Sequence, residues 1–258
     1  MIVLGLDLET TGLDKDTDEI IEIAGVMWHT DQRTFSDIYS KVIFHGTDLA
    51  VSDKVKKLCG FDYHAVLENG VLETDALVEI GRMIEASTAV VGHNIKKFDW
   101  PFLKAKYQKH GIYMPEKTII DTLTDLPDEA YASGGSRKLG HLCADHNFLN
   151  QFAHRALFDV IATLKLMCMY DVDEVAKNAV APQVCLKFHL KWKDVDPRRD
   201  YVKSRRFRWL GAPHRIWYKI MRKELMEEEV KLCGENDCTA VQVTDPGEKQ
   251  AIWKQENS

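Results

Sequence analysis

Two acidic residues near the start of the chain stand where a folded strand would bring their carboxylates together. Asp7 and Glu9 are two residues apart in the apolar segment 2–9, so on a strand both side chains leave the same face. Carboxylates on a buried strand are costly unless a positive charge lies between them, and a divalent cation is the simplest candidate. By itself the pair is weak evidence, because acids at this spacing also occur on exposed strands.

Two later segments carry further acids and a histidine. Asp99 lies near the start of a predicted helix, where an acid also compensates the helix dipole. Asp159 follows His154 by five residues, which on one helix would separate the two side chains by about 140°. His154 is therefore expected on the loop before a last helix, free to reach what Asp159 holds. Histidine has a reference pKa of about 6.5 and accepts a proton near neutrality, although an isolated one is usually a plain surface residue.

The elements that must position these residues alternate between strands and helices. Apolar strands are expected at residues 2–9, 20–28, 35–44, 89–92 and 119–121, and the first three predict a meander. Helical spacing marks residues 51–60, 73–85 and 98–110, and then a helix from Ser136 or Lys138 to Asp145 after a loop at 128–137. The core stripe of a last helix is predicted at Leu157, Ile161, Leu164 and Cys168.

Length and cysteine usage limit the class of protein. A chain of 258 residues can hold one large domain, or a standard domain with a small appendage. The first residues lack the basic lead of a signal peptide and are too short for a membrane span. The six cysteines show no paired spacing of a zinc site or redox motif, which favours free thiols in a reducing compartment.

The charge distribution divides the chain. Residues 187–223 contain 13 Lys or Arg against three Asp, although the whole chain has a net charge of -6. So concentrated a basic stretch in a mildly acidic protein indicates a polyanionic partner. Because the composition turns basic and Trp-rich after residues 180–182, we predict a boundary there. It separates a domain at residues 1–180 from a small α+β module at residues 183–258.

Taken in this order, the three acidic segments resemble the DEDD superfamily of 3′-to-5′ exonucleases. They are most similar to its DnaQ-like branch, which includes DNA polymerase III epsilon-type proofreading subunits and exodeoxyribonuclease X-type enzymes. The resemblance covers residues 1–173. Asp7 and Glu9 match the first family motif, Asn94 with Asp99 the second, and His154 with Asp159 the third. A histidine five residues before the last aspartate marks the DEDDh subgroup.

The resemblance implies a fold and a metal site. It implies a ribonuclease-H-like α/β core, a mixed five-stranded sheet flanked by helices with the acids at its centre. It also implies two Mg²⁺ or Mn²⁺ ions, with Asp7 bridging both, and with Glu9 and Asp159 completing the ion that binds the nucleophile. Asp99 would act on the other ion chiefly through water. His154 would be the general base.

Candidate substrate contacts follow from the same resemblance. Relatives hold the terminal nucleotide with backbone amides and an apolar wedge just after the first motif. Phe98 is a candidate for stacking near the 3′-terminal base, because aromatic faces bind bases without regard to sequence. The matching residues here are Thr10, Thr11, Leu13, His93, Asn94 and Phe98. Turn chemistry explains the threonines equally well, and core packing explains Phe98 better. Lys96 and Lys97, and the turn at residues 59–61, depart from the usual family pattern, which affects substrate handling more than catalysis.

The basic module has two interpretations. Its basic residues are interleaved with the aromatic residues Trp192, Phe207, Trp209 and Trp217. This suits a groove that tracks phosphates while bases stack, with candidate contacts at Arg205, Arg206, Arg208 and Trp209. Alternatively, the Trp residues are the core of a tiny domain and the Lys and Arg its solvated face. Residues 183–188 also faintly resemble a sliding-clamp-binding peptide, and they equally fit the first strand of the module.

We therefore expect a metal-dependent exonuclease that releases nucleotides from single-stranded or frayed DNA 3′ ends. One alternative is an exoribonuclease acting on short RNA, since the 2′-hydroxyl decides the substrate and no residue reports on it. Another is a non-catalytic nucleic-acid-binding or polymerase-associated subunit, against which the intact set of acids and histidine argues. We expect a cytoplasmic protein of a bacterial or phage-infected cell, without a membrane partner, that serves DNA repair or replication.

Overall fold

A six-stranded mixed sheet forms the centre of the first part of the chain. Its strand order is β4-β3-β2-β1-β5-β6. The strands are β1 (Ile2–Thr10), β2 (Ile20–His29), β3 (Thr34–Phe44), β4 (Val71–Leu72), β5 (Ala89–Gly92) and β6 (Thr118–Asp121). The first three form the predicted antiparallel meander, whereas β5 pairs parallel with β1 and β6 parallel with β5.

The computed structural model describes residues 1–46, 49–131, 136–188 and 198–256. It divides into two compact units, Met1–Val180 and Ala181–Ser258. The helices of the first unit are α1 (Asp53–Cys59), α2 (Tyr63–Asn69), α3 (Glu73–Ala86), α4 (Asp99–His110), α5 (Leu139–Asp145), α6 (Ala156–Met167) and α7 (Val172–Val180). The predicted loop at 128–137 begins with a short 3-10 turn, Asp128–Tyr131, and its residues 132–135 lie outside the described residues.

The predicted fold class is confirmed, with one additional strand. The sequence predicts five strands, whereas β4 adds a sixth at the edge by pairing parallel with the end of β3. A strand of two residues is too short to show the alternating pattern from which strands are recognised. The five longer strands keep the mixed topology expected of a ribonuclease-H-like core.

Two hydrophobic layers cover the two faces of the sheet. Leu4, Leu6 and Leu8 on β1 are buried against α3 and α4. The alternate face of β1 meets α6, where a Cβ at Gly5 would lie 2.6 Å from Val160 Cγ1 and 2.8 Å from Leu164 Cδ1. Only glycine therefore allows α6 to pack this closely on β1. Asp7 and Glu9 continue the same face as Gly5.

The predicted core stripe of α6 is confirmed only in part. Leu164 is buried and Leu157 and Cys168 pack against the core, whereas Ile161 is 42% exposed. The helix also buries Ala156, Val160 and Met167. Apolar residues surround more than half of this helix, so two helical stripes fit the sequence equally well. Packing on β1 selects the stripe that starts one position earlier than predicted.

The second unit has an α+β composition. Its elements are β7 (Gln183–Phe188), α8 (Arg198–Ser204), β8 (Arg208–Leu210), β9 (Ile216–Arg222), α9 (Met226–Gly234), β10 (Val241–Gln242) and α10 (Pro246–Glu256). The four strands form an antiparallel sheet in the order β10-β7-β9-β8. Phe207 and Trp217 are buried in its core, as the core interpretation of the aromatic residues predicts. Trp192 lies outside the described residues.

The segment that resembles a clamp-binding peptide is a strand within this sheet. β7 pairs with β9 along its whole length and with β10 at Leu186 and Lys187. A peptide that docks on a clamp needs to present its side chains on a free segment. The strand interpretation of residues 183–188 is therefore confirmed, and the clamp interpretation is not supported.

No helix within the described residues combines the length and the apolar character needed to cross a lipid bilayer.

Candidate active site

Three elements of the first unit converge on the end of β1. Asp7 and Glu9 extend from the β1 face that packs on α6, whose first turn carries Asp159. Asp99 opens α4, and its Oδ1 accepts a hydrogen bond of 3.0 Å from the backbone N–H of Leu8. Because Leu8 lies between the two strand acids, this bond joins the second motif directly to the first.

Asp159 is held by the loop that precedes α6. His154 lies in the turn 151–154, as the five-residue spacing predicts, and its backbone is left-handed with φ of 65°. The His154 N–H donates to Asp159 Oδ2 at 2.9 Å. The Asn150 side-chain amide donates to the other carboxylate oxygen, Oδ1. Both oxygens of Asp159 are thus oriented by the same short loop, while the His154 side chain is exposed.

Glu9, His154 and Asp159 form a cluster of cation-ligand size. Each offers one ligand atom, and the three atoms all lie within 4.8 Å of one another. Oxygen ligands bind Mg²⁺ at about 2.0–2.1 Å and Ca²⁺ at about 2.3–2.6 Å, so atoms around one ion lie within roughly twice those lengths. The cluster therefore matches the span of a single divalent ion.

The electrostatics of the acids also fit a cation. Burial, then the charges of Asp99 and Asp159, raises the pKa of Asp7 well above its ordinary value. Burial, then Asp159 and Glu22, raises the pKa of Glu9 to about 8. Burial raises the pKa of Asp99 to about 7, and it also raises the pKa of Asp159. Like charges packed out of water disfavour ionisation, which a bound cation would restore.

Glu22 and Arg155 belong to this site, and sequence analysis missed both. Glu22 lies opposite Glu9 in the register of β1 and β2, and it is buried. Arg155 Nε donates to Glu22 Oε2 at 3.0 Å, which ties the His154 loop to β2. Arg155 also lowers the pKa of Glu9, against the larger effect of burial. A charged residue inside the apolar segment 20–28 was the available sequence signal.

Lys96 and two acids support the turn of the second motif. Asn94 has a left-handed backbone with φ of 65°, and its N–H donates to Asp121 Oδ1 at 2.7 Å. Lys96 pairs with the buried Asp125 at 2.8 Å and also donates to the carbonyl of Ala179. Lys96, which departs from the family pattern, thus has a structural partner inside the unit.

Of the predicted substrate contacts around the first motif, the two threonines bond within the turn and the leucine is exposed at the surface. Thr10 donates to the Gly12 carbonyl and Thr11 to Asp18 Oδ1 at 2.9 Å, so both hydroxyls stabilise the turn. Leu13 is 85% exposed, as a residue that meets a ligand requires. Thr10, Thr11 and Leu13 stay predicted contacts.

The predicted contacts around the second motif are less exposed. His93 Nδ1 lies 2.9 Å from Thr122 Oγ1, and burial lowers the pKa of His93 to about 4. Phe98 packs against Phe102, with ring centroids 5.6 Å apart, beside the core that α4 covers. Core packing therefore accounts for Phe98, and its proposed stacking on a base stays untested.

The candidate contacts of the second unit have partners within that unit. Arg205 pairs with the buried Glu229 at 2.6 Å, and Arg208 pairs with Glu256 at 2.7 Å. Trp209 packs on Trp217, with ring centroids 5.5 Å apart. Arg206 lies in the turn after α8. These contacts favour structural roles for Arg205, Arg208 and Trp209, and binding of nucleic acid by this unit remains a prediction.

The turn that follows the first motif is anchored to α4. Lys106 is only 2% exposed and pairs with Glu19 Oε2 at 2.6 Å, and it also donates to the carbonyl of Asp18. Lys109 pairs with the other oxygen of Glu19 at 2.8 Å. Burial raises the pKa of Glu19, but the hydrogen bonds from the two lysines outweigh it and leave that pKa lowered.

The two lysines give a matched test of this anchor. We expect Lys106→Met to lower the free energy of unfolding of the first unit by about 2 kcal/mol, because it removes a buried charge from a pair. Lys109→Met, on the same carboxylate but 50% exposed, should cost less than about 1 kcal/mol. Calorimetry and hydrogen exchange of the amides at 12–18 measure the effect. Equal losses in the two variants would contradict the anchoring role of Lys106.

Comparison with known proteins places the first unit in a family. The exonuclease family model RNase T matches residues 4–167. The 3′-5′ exonuclease DinG of Staphylococcus epidermidis is 32% identical over 162 residues, which cover 63% of this chain and 17% of that protein. The PolC-type DNA polymerase III of Ureaplasma parvum is 29% identical over 175 residues, which cover 67% of this chain and 11% of that protein. The chain thus spans only a small part of these curated relatives.

Solved structures share the fold. E. coli Exonuclease I in complex with a dT13 oligonucleotide has a TM-score of 0.57 at 16% identity, over 73% of this chain and 48% of that one. The nuclease domain of 3′hExo, a DEDDh family member bound to rAMP, has a TM-score of 0.52 at 15% identity, over 65% and 90%. These likenesses confirm the predicted architecture. Because the family model covers more than half of the chain, this protein belongs to the RNase T family of exonucleases, as its three acidic motifs predict.

Proposed function

We propose that this protein is a metal-dependent 3′-to-5′ exonuclease that releases nucleotides from single-stranded or frayed DNA ends. The observation that carries the proposal is the cluster of Glu9, His154 and Asp159 within 4.8 Å, beside the buried Asp99 and the adjacent Asp7. Membership of the RNase T exonuclease family supports the reaction. The intact acids and histidine argue against a non-catalytic binding subunit.

The carboxylates are the donor set that we propose for two hard divalent cations. Carboxylate oxygens are the ligands that Mg²⁺ and Mn²⁺ prefer, and the pKa of Glu9 is raised by burial and then by the neighbouring acids, which a bound cation would offset. The residues that would hold the ions are Asp7, Glu9, Asp99 and Asp159. Bound there, the ions would supply neutralisation of the phosphate, activation of a water and stabilisation of the departing 3′-oxygen.

His154 is the proposed general base. Its side chain is exposed on a loop, within 4.8 Å of Glu9 and Asp159 ligand atoms, so it can reach a water held at the acids. The ring would take the proton that the attacking water loses. The hydrogen bond from its own N–H to Asp159 fixes the loop. Asn150 and the Arg155–Glu22 ion pair hold the same loop and are positioning residues.

DNA is favoured over RNA by the functions that the relatives' names state. DinG is a 3′-5′ exonuclease and PolC a DNA polymerase, and Exonuclease I is solved with a DNA oligonucleotide. The 3′hExo structure holds rAMP, and another describes 3′-end recognition of a histone mRNA stem-loop. The fold is therefore used on both polymers, and the substrate is decided by the 2′-hydroxyl.

One digestion assay tests the proposal. End-labelled single-stranded, duplex and mismatched DNA, and RNA of the same sequence, are incubated with and without Mg²⁺. We expect a Mg²⁺-dependent ladder from the 3′ end, fastest on single-stranded DNA. Faster digestion of RNA would replace the DNA assignment by an exoribonuclease. Binding without cleavage of any polymer would overturn the enzymatic proposal.

Replacement of His154 should separate chemistry from metal binding. We expect His154→Asn, which tolerates the left-handed backbone, to lower kcat by about 10²- to 10⁴-fold. Stabilisation by Mg²⁺ should remain, because Asp159 is oriented by the backbone N–H of residue 154. Single-turnover rates and thermal shifts measure the two effects. His141→Asn, at an exposed histidine of α5, is the control. An unchanged kcat would remove His154 from the mechanism.

The buried acids predict how stability depends on pH and cations. The folded-state pKa values of Glu9 and Asp99, about 8 and 7, exceed those of the unfolded chain. The stability that these two acids contribute is therefore complete at low pH and is lost as the pH rises toward 8. We expect the metal-free protein to melt at a higher temperature at pH 5.5 than at pH 8.

Divalent cations should reverse this trend. Ligands must be deprotonated to bind a metal, so Mg²⁺ or Mn²⁺ should raise the melting temperature by several degrees at pH 8 and by less at pH 5.5. Scanning calorimetry measures both shifts, and Glu9→Gln should flatten the pH dependence at its alkaline end. If cations leave the melting temperature unchanged at both pH values, the proposed metal site is refuted.

A further inference from the structure

Two exposed phenylalanines lie within two residues of the histidine and the aspartate of the third motif. Phe152 is 56% exposed and Phe158 is 38% exposed. Their ring centroids are 4.7 Å apart with an interplanar angle of 43°, so the two rings form one aromatic surface. Neither ring belongs to the hydrophobic clusters that the described residues form in the first unit. Core packing therefore does not account for the pair.

The loop geometry fixes the pair close to the reacting groups. Phe158 immediately precedes Asp159 on α6. Phe152 lies midway between Asn150 and His154, both of which donate to the carboxylate of Asp159. Two residues span at most about 7 Å of chain, so Phe152 stays near Asp159 whatever its side-chain rotamer.

We infer that the Phe152–Phe158 pair is a stacking platform for an unpaired nucleobase on the 5′ side of the 3′-terminal nucleotide, in the strand whose 3′ end occupies the active site. The inference rests on the proposed function and names a subsite for its substrate. Aromatic faces bind bases of any sequence, because every base has a flat π-face. An exonuclease that proceeds along a strand needs contacts that do not depend on the base sequence.

The charge around the site makes such a contact useful. Glu9, Asp159 and Glu22 lie together here, and Arg155 is engaged by Glu22. Without bound cations these acids repel the phosphates of an incoming strand, whereas affinity from stacking involves no net charge and does not depend on how the acids are neutralised. Phe98, the other candidate for stacking on a base, packs beside the core. The Phe152–Phe158 pair, in contrast to Phe98, is exposed and can contact a base.

The platform also predicts strand selectivity. A base within a duplex is already paired and stacked on its neighbours, so it reaches the rings only after unpairing. Unpaired bases of a single strand or a frayed end reach them without that cost. The Phe152–Phe158 pair would therefore favour single-stranded over duplex ends through binding.

Two substrates separate the platform from the chemistry. One is a single-stranded DNA oligomer, and the other is the p-nitrophenyl ester of thymidine 5′-monophosphate, which has no neighbouring base. For Phe152→Ala and Phe158→Ala we expect the ratio of kcat/KM for the oligomer to that for the ester to fall about tenfold. Phe158→Trp should restore the ratio. Phe35→Ala, which removes a 55% exposed phenylalanine from β3, is the matched control and should keep the wild-type ratio.

The outcomes distinguish this inference from the function on which it rests. An unchanged ratio in both alanine variants, or equal losses on both substrates, would overturn the platform, the latter by showing that the rings only shape the loop. A wild-type protein inactive on both substrates would refute the exonuclease proposal. Anisotropy of a fluorescein-labelled single strand then tests the platform without turnover. It stands if Phe158→Ala weakens binding about tenfold relative to Phe35→Ala, and it fails if the two variants bind alike.

Discussion

Burial of several carboxylates beside one another is the constraint on which the rest of this structure depends. Burial is the largest cause of the raised pKa values of Asp7, Glu9 and Asp99, and neighbouring acids raise all three further. The fold holds these groups with directed donors. The N–H of Leu8 fixes Asp99, and the loop before α6 fixes both oxygens of Asp159. A site that is electrostatically unfavourable by itself is thereby ready for cations.

The energy that holds the acids together comes from apolar packing on both faces of the sheet. One layer packs α3 and α4 on β1, and the other packs α6 on the opposite face. Each layer delivers one distant acid, Asp99 from α4 and Asp159 from α6, to the same strand. The buried Lys106 adds an ionic anchor at the turn that leaves β1. The functional loops are therefore short extensions of well-packed elements.

Sequence patterns predicted the parts of this site that depend on local periodicity. The spacing of Asp7 and Glu9 indicated a shared strand face, and the five-residue spacing of His154 and Asp159 indicated a loop. Such patterns do not predict contacts between segments that are distant in the sequence. Strand register places Glu22 opposite Glu9, and Arg155 meets Glu22 only when α6 packs on the sheet. Arg205 and Arg208 likewise meet acids of α9 and α10 that only the folded unit brings near. In the predicted stripe of α6, Ile161 is exposed because the sequence fits two faces and packing decides between them.

Gly5 has a consequence for which ion the acids can hold. The separation between β1 and α6 is set where Gly5 meets Val160 and Leu164, two residues before Asp7 and next to Asp159. The distance between the carboxylates of β1 and the carboxylate of α6 depends on that separation. Mg²⁺ accepts a narrower range of ligand distances than Ca²⁺ does. In the proposed metal site, discrimination by ionic radius would thus depend on the thickness of a hydrocarbon contact, at a position that carries no side chain.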